Sequence, residues 1–238
     1  MSWKTAYRSF YYDGAPEPED MDLAWRETAL LVIDIQNTYL DDRKREQVPP
    51  GELVKWEAWR PFNKRMCEIV IPNTQAMIET FRESKQEIVF ARIACMTQNG
   101  RDRSLSQKKP GWNYLLMPLN TEESQFVPEL APIGDEIVIT KTTDSALTGT
   151  NLRLVLHNIG IKNVIMAGIF TDQCVSSTVR SLVDESYNVI VLEDCCAAGT
   201  DELHDKELEI INNIYCHVMS SQELRDMMRL GAGAKAAE

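Results

Sequence analysis

Six short apolar runs recur along the chain, at residues 29–34, 87–93, 136–139, 163–167, 188–192 and 216–219. Most are continuous, with little polar alternation. A strand with one face in water alternates; a strand buried on both faces does not, which is the mark of a parallel sheet. Helical patterns separate the runs, at about 62–84, 149–159, 173–186 and 201–213. Ser220 is placed to cap a last helix beginning near Ser221. The βαβα order predicts an α/β fold: a doubly wound, mostly parallel sheet flanked by helices on both faces. Pro72, inside the first helical pattern, predicts a kink or break.

The 238 residues suit one domain, read as 28–230, with an N-terminal arm over 1–27 and a low-complexity, flexible tail over 231–238. Phe10, Tyr11 and Tyr12 of the arm are candidates to pack on the body or on a neighbouring subunit. The connection over about 94–118 is long and irregular, and such segments in compact domains usually serve function. A formal charge of −11 argues against nucleic acid and against an anionic membrane surface as partners. No apolar stretch approaches membrane-spanning length, and residues 1–26 lack an apolar core of signal-peptide length. Six cysteines without ligand-like spacing then read as reduced thiols, and the expected location is cytoplasmic.

Ligands of a doubly wound sheet bind outside the carboxyl ends of its strands. Asp34 ends the first apolar run, Lys141 follows the third, and Cys174 follows the fourth where a helix begins. All three fall on that edge. Each has a plainer reading: Asp34 as a cap or ion-pair partner, Lys141 as a solvated charge, Cys174 as a buried small residue. Together they fit attack by sulfur on a carbonyl carbon. Cys174 would be the nucleophile, and the helix N-terminus and Lys141 would favour its thiolate. Asp34 would take the thiol proton, pass it to a leaving nitrogen and then activate water. Backbone N–H groups at the turn would hold the oxyanion. His157, His204 and His217 lack the context of a Cys–His pair and read as structural.

The chain resembles the isochorismatase-like cysteine hydrolases, over about residues 27–220. The matching motifs are Leu31-Val32-Ile33-Asp34-Ile35-Gln36-Asn37 and Lys141-Thr142-Thr143-Asp144-Ser145-Ala146-Leu147 with Gly149-Thr150-Asn151-Leu152. They continue with Gly168-Ile169-Phe170-Thr171-Asp172-Gln173-Cys174-Val175 and Leu192-Glu193-Asp194. The resemblance implies a three-layer sandwich and an Asp34–Lys141–Cys174 triad. It also implies a cis peptide between Ile169 and Phe170, with the backbone N–H groups of Phe170 and Cys174 turned to the oxyanion. Tyr39 stands where many relatives carry an aromatic that packs on substrate.

Isochorismatases proper lack the cysteine, so Cys174 argues against that branch. Nicotinamidases usually carry an Asp-x-His metal motif, and residues 40–110 contain no histidine. No metal and no cofactor are therefore expected. The remaining relatives cleave small linear amides or carbamoyl compounds: ureidoacrylate, N-carbamoylsarcosine, biuret and maleamate. The long middle segment and the arm resemble the ureidoacrylate and biuret types most. The expected partner is a small amide or ureido substrate. A homodimer or homotetramer is implied by the same relatives. A nicotinamidase-like hydrolase and a non-catalytic ligand-binding member of the fold stay as alternatives. Tyr39, Trp112 and Gln173 are candidates for substrate binding, though Trp112, with Tyr114, would equally anchor the loop. Arg101, Arg103, Lys108 and Lys109 would hold a carboxylate or form a solvated basic loop. Cys67, Cys95, Cys195 and Cys196 read as packing residues at the core or its edge.

Overall fold

A computed structural model describes residues 2–19, 21 and 23–235. Six parallel strands form one sheet: β1 Thr28–Ile33, β2 Glu87–Ile93, β3 Ile137–Lys141, β4 Asn163–Ile169, β5 Asn188–Ala197 and β6 His217–Met219. Their order is β3-β2-β1-β4-β5-β6. The winding reverses between β1 and β4, and a crevice for ligands opens at such a reversal.

Every residue of β1 and β4 is buried, as a central parallel strand requires. Alternate side chains feed two cores. Ala29, Leu31 and Ile33 pack with Leu152 and Leu156 of α3 (Leu152–Asn158), Val179 and Leu182 of α4 (Ser176–Asp184), and Leu208 and Ile211 of α5 (Asp201–Ile211). Leu30 and Val32 pack on the other side. Their neighbours include Phe62 of α1 (Leu53–Arg65), Met77, Ile78 and Phe81 of α2 (Ile71–Glu83), and Leu224 of α6 (Ser221–Lys235). The result is a three-layer α/β sandwich.

Several boundaries differ from the sequence reading. The first helical stretch begins at Leu53 rather than near residue 62, and it runs on through Pro61. Pro72 does not break it. Met66–Val70 forms a π-helical turn just ahead, widening the helix where the proline has no N–H to donate. β5 extends past Leu192 to Ala197, so Cys195 and Cys196 lie in the strand and are buried. The register jumps from Met166↔Val191 to Gly168↔Cys196, so β5 bulges where Glu193 and Asp194 interrupt its apolar run. Cys67 is exposed rather than packed.

Ser220 and Glu223 cap α6 reciprocally: the Glu223 N–H donates to Ser220 Oγ at 3.2 Å and the Ser220 N–H to Glu223 Oε2 at 2.9 Å. α6 continues through Lys235, into the stretch read as a tail; its alanines are strong helix formers. Residues 236–238 of that stretch lie outside the described residues. In the arm, Trp3 is buried against the core and Asn212 Nδ2 donates to the carbonyls of Ala6 and Tyr7. Phe10 and Tyr11 project into solvent, 87% and 85% exposed.

Candidate active site

Asp34, Lys141 and Cys174 meet at the carboxyl edge of the sheet, beside the reversal. Asp34 is the first residue past β1. Its backbone is in the left-handed region (φ 55°), which aspartate tolerates better than most residues, and its N–H donates to Ala91 O at 2.9 Å. Lys141 closes β3, in register with Ile93 at the end of β2. Two strand spacings, about 9–10 Å, separate β3 from β1, and the long lysine stem crosses the end of β2 to span the gap. Lys141 Nζ lies 2.7 Å from Asp34 Oδ2, 3.3 Å from Cys174 Sγ and 3.0 Å from the carbonyl of Thr143. Three partners thus meet the three N–H donors of one ammonium. Asp34 and Lys141 are each 1% exposed, and Cys174 is 5% exposed.

The turn that carries Cys174 follows β4. The Ile169–Phe170 peptide is cis. Thr171–Val175 then forms a helical turn continued by α4, so Cys174 sits in the first turn of that helical run. Gly168 makes the approach possible. A Cβ there would lie 2.1 Å from the carbonyl oxygen of Ile33, and its φ is 137°. Only glycine lets β4 lie this close to β1 immediately before the turn.

Burial dominates the electrostatics. It pushes the Asp34 carboxyl above its ordinary value, against the downward pull of Lys141. Burial works against the Lys141 charge, but Asp34 and Cys174 outweigh it and the ammonium is held more strongly than in water. At Cys174 the expected pull of Lys141 toward the thiolate is opposed by burial and by Asp34. Lys141 does pull its pKa down, but burial and the Asp34 charge push it well above the usual thiol value. Burial thus favours the protonated thiol beside the close Lys141–Asp34 contact. The Asp34 carboxylate is held by the Lys141 ammonium, 2.7 Å from its Oδ2.

The other predicted residues scatter. Tyr39 stacks edge-on against Phe170, with centroids 5.3 Å apart. Trp59 and Phe62 of α1 pack on the same Phe170 ring at 5.9 and 5.1 Å. Together they make an aromatic wall that sequence reasoning missed; nothing in the spacing singled out Trp59. Gln173 is exposed beside Cys174. Trp112 is 89% exposed and is not gathered into the buried site. Arg103 is spent within the long segment: it donates to the carbonyls of Gly100, Gln107 and Leu115 and covers the Tyr114 ring at 4.7 Å. Gln36 is a further positioning residue that motif reading passed over. Fully buried, it bonds both the N–H and the carbonyl of Ile93, each at 2.9 Å, and so ties the exit of β1 to the end of β2.

Among the described residues no group of three His, Cys, Asp or Glu side chains could hold a metal ion. Among them, too, no helix is long and apolar enough to cross a membrane.

Comparison with known proteins finds relatives over most of the chain. The family described as the Isochorismatase domain matches residues 28–223. A protein of Arabidopsis thaliana described as a "probable inactive nicotinamidase" is 29% identical over 194 residues, covering 80% of this chain and 90% of that protein. Ureidoacrylate amidohydrolase RutB of Acinetobacter baylyi is 24% identical over 220 residues, covering 87% of this chain and 85% of the relative. The crystal structure of an isochorismatase-like hydrolase from Alkaliphilus metalliredigens superposes with a TM-score of 0.65 at 26% identity, covering 85% of this chain and 99% of that one.

Proposed function

The chain belongs to the isochorismatase family, and on that premise we propose that it is a cysteine amidohydrolase cleaving a C–N bond of a small linear amide, carbamoyl or ureido compound. The observation that carries this reading is the single contact set of Lys141 Nζ with Asp34 at 2.7 Å and Cys174 at 3.3 Å. A base, a cation and a sulfur nucleophile share one buried point at the reversal of the sheet.

As Cys174 Sγ attacks the substrate carbonyl carbon, a C–S bond forms and the thiol proton passes to Asp34. The negative charge moves to the carbonyl oxygen, facing the backbone N–H groups of Phe170 and Cys174. Lys141 balances the charge around Asp34 and sulfur during the transfer. The tetrahedral adduct collapses, the C–N bond breaks, and Asp34 returns the proton to the leaving nitrogen. Ammonia or an amine departs and an acyl or carbamoyl thioester remains on Cys174. Asp34 then takes a proton from water, hydroxide adds to the thioester carbon, and the thiol leaves reprotonated. Tyr39 and Gln173 flank the bound substrate. None of these steps calls for a metal or other cofactor.

Ammonia release from ureidoacrylate, N-carbamoyl amino acids, biuret, maleamate and nicotinamide tests the reading. One of the linear compounds should be turned over by the wild type and not by Cys174→Ala. Equal release by the two proteins would remove the cysteine mechanism. Preferred turnover of nicotinamide would favour the second reading, a pyridine carboxamide hydrolase, which the aromatic wall of Tyr39, Trp59 and Phe170 supports. Tight binding without any turnover would favour a non-catalytic member of the fold, a possibility raised by the name of the Arabidopsis relative.

The same proposal includes a cytoplasmic protein, supported by six free cysteines. It also includes a homodimer or homotetramer, supported by the exposed Phe10 and Tyr11.

A further inference from the structure

One buried polar chain outside the three reacting groups ends on the nucleophile turn. Arg65 closes α1, and its Nη2 lies 2.8 Å from His204 Nε2 on α5. His204 Nδ1 lies 2.7 Å from Thr171 Oγ1. Thr171 is the first residue of the helical turn that carries Cys174, and it directly follows the Phe170 ring of the aromatic wall. Both His204 and Thr171 are fully buried.

The direction of each bond is fixed by chemistry. A guanidinium only donates, so His204 Nε2 must accept. A neutral imidazole then carries its proton on Nδ1 and donates it to Thr171. The imidazole is neutral because burial first, and the neighbouring Arg65 charge second, press its pKa down to about 3. Arg65 is itself clamped: it donates from Nε to Cys196 O at 3.2 Å and from Nη2 to Glu193 O at 3.0 Å, both on β5. Three elements (α1, β5 and α5) thus converge on one hydroxyl at the base of the turn.

We propose that Arg65 and His204 are positioning residues which, through the Thr171 hydroxyl, aim the turn that carries Cys174. Arg65 selects the imidazole tautomer, and the imidazole fixes Thr171. The inference rests on the reading of Cys174 as the nucleophile. A core histidine serving packing alone would tolerate any partner of the right volume. A directional relay would not, and a misplacement of about 1 Å at a reacting atom can slow a reaction about a hundredfold.

The test is the rate of Cys174 alkylation by iodoacetamide, followed by peptide mass. In that reaction sulfur displaces iodide from the methylene carbon and the thiol proton is lost to Asp34. Thr171→Val keeps the volume but removes the acceptor; Thr171→Ser keeps the hydroxyl. His204→Asn puts an amide N–H near the Nδ1 position, whereas His204→Gln puts one near Nε2. Thr171→Val and His204→Gln should slow alkylation about tenfold or more, while Thr171→Ser and His204→Asn stay within about threefold of wild type. Melting temperatures of all four are recorded, and the Val–Ser contrast is read at comparable stability. Wild-type or faster rates in Thr171→Val, or equal slowing by Val and Ser, would overturn the relay. Asp34→Asn separates the two levels. If that substitution leaves wild-type alkylation unchanged, the reading of Cys174 as an Asp34-activated nucleophile fails, and the relay with it. If Asp34→Asn slows alkylation and Thr171→Val does not, only the relay fails.

Discussion

Lys141 shows how much one residue is asked to do at this edge. Its stem spans two strands and its three donors meet a carboxylate, a thiol and a carbonyl. Replacing it by methionine would leave Asp34 buried without its cation. Breaking a buried pair from one side costs about 3–5 kcal/mol, so Lys141→Met should lose that much stability in urea unfolding. A loss below about 1 kcal/mol would show that the pair is less dry than its burial implies. In the proposed mechanism Asp34 sets the acid limb of activity. Only its ionised form accepts the thiol proton, and burial raises its pKa. Activity should therefore be lost, as pH falls, above the ordinary carboxylate range; a pH–rate profile with its limb inside that range would contradict the assignment. Asp34, Lys141 and Cys174 were legible in the sequence because each ends or follows an apolar run. Trp59 and Arg65 were not singled out, Gln36 stood only within a motif, and His204 read as structural. Their importance lies in which backbone group or ring they reach across the fold, and periodicity carries no record of that.

At the scale of elements, the sheet was the legible part. Continuous apolar runs marked all six strands, and the predicted helices lie in the intervals between them. Helix starts and strand ends were less legible. Pro72 read as a breaker, yet a π-turn absorbs it and the helical stretch continues, and that stretch begins before Pro61, ahead of the expected start. Glu193 and Asp194 read as the end of β5, yet the strand bulges past them and resumes at Cys195 and Cys196. Such outcomes depend on neighbouring elements. The contact of β4 with β1 at Gly168 is the sharpest case. With a Cβ only 2.1 Å from a backbone oxygen, Gly168→Ala must push the strands apart directly before the nucleophile turn. The expected result is a loss of about 3 kcal/mol or more in unfolding free energy, together with loss of activity. A stable, active Gly168→Ala protein would mean that this strand pair yields more easily than its packing implies.

The whole molecule combines a buried candidate site at the sheet's carboxyl edge with an arm that is only half secured. Trp3 and the carbonyls of Ala6 and Tyr7 are tied to the body, but Phe10 and Tyr11 are left in water. Two adjacent exposed aromatics of this size are enriched at interfaces rather than on free surfaces. Phe10→Ser with Tyr11→Ser should lower the molar mass seen by light scattering toward that of one 27.1 kDa chain while leaving the fold intact by circular dichroism. An unchanged mass would take the arm out of assembly. Strand–helix order pointed to the α/β class, and net charge argued against nucleic acid and an anionic membrane as partners. What the order could not supply was the exposure of Trp112 or the internal use of Arg103, because a long loop chooses its contacts only once the body is built.

The most direct test of the central claim is intact-mass spectrometry after brief exposure to a small amide that the wild type hydrolyses. The account predicts a transient gain equal to the acyl or carbamoyl part of the substrate, mapped to the Cys174 peptide and absent from Cys174→Ala. Full turnover by Cys174→Ala, or an adduct mapped to another residue, would contradict it.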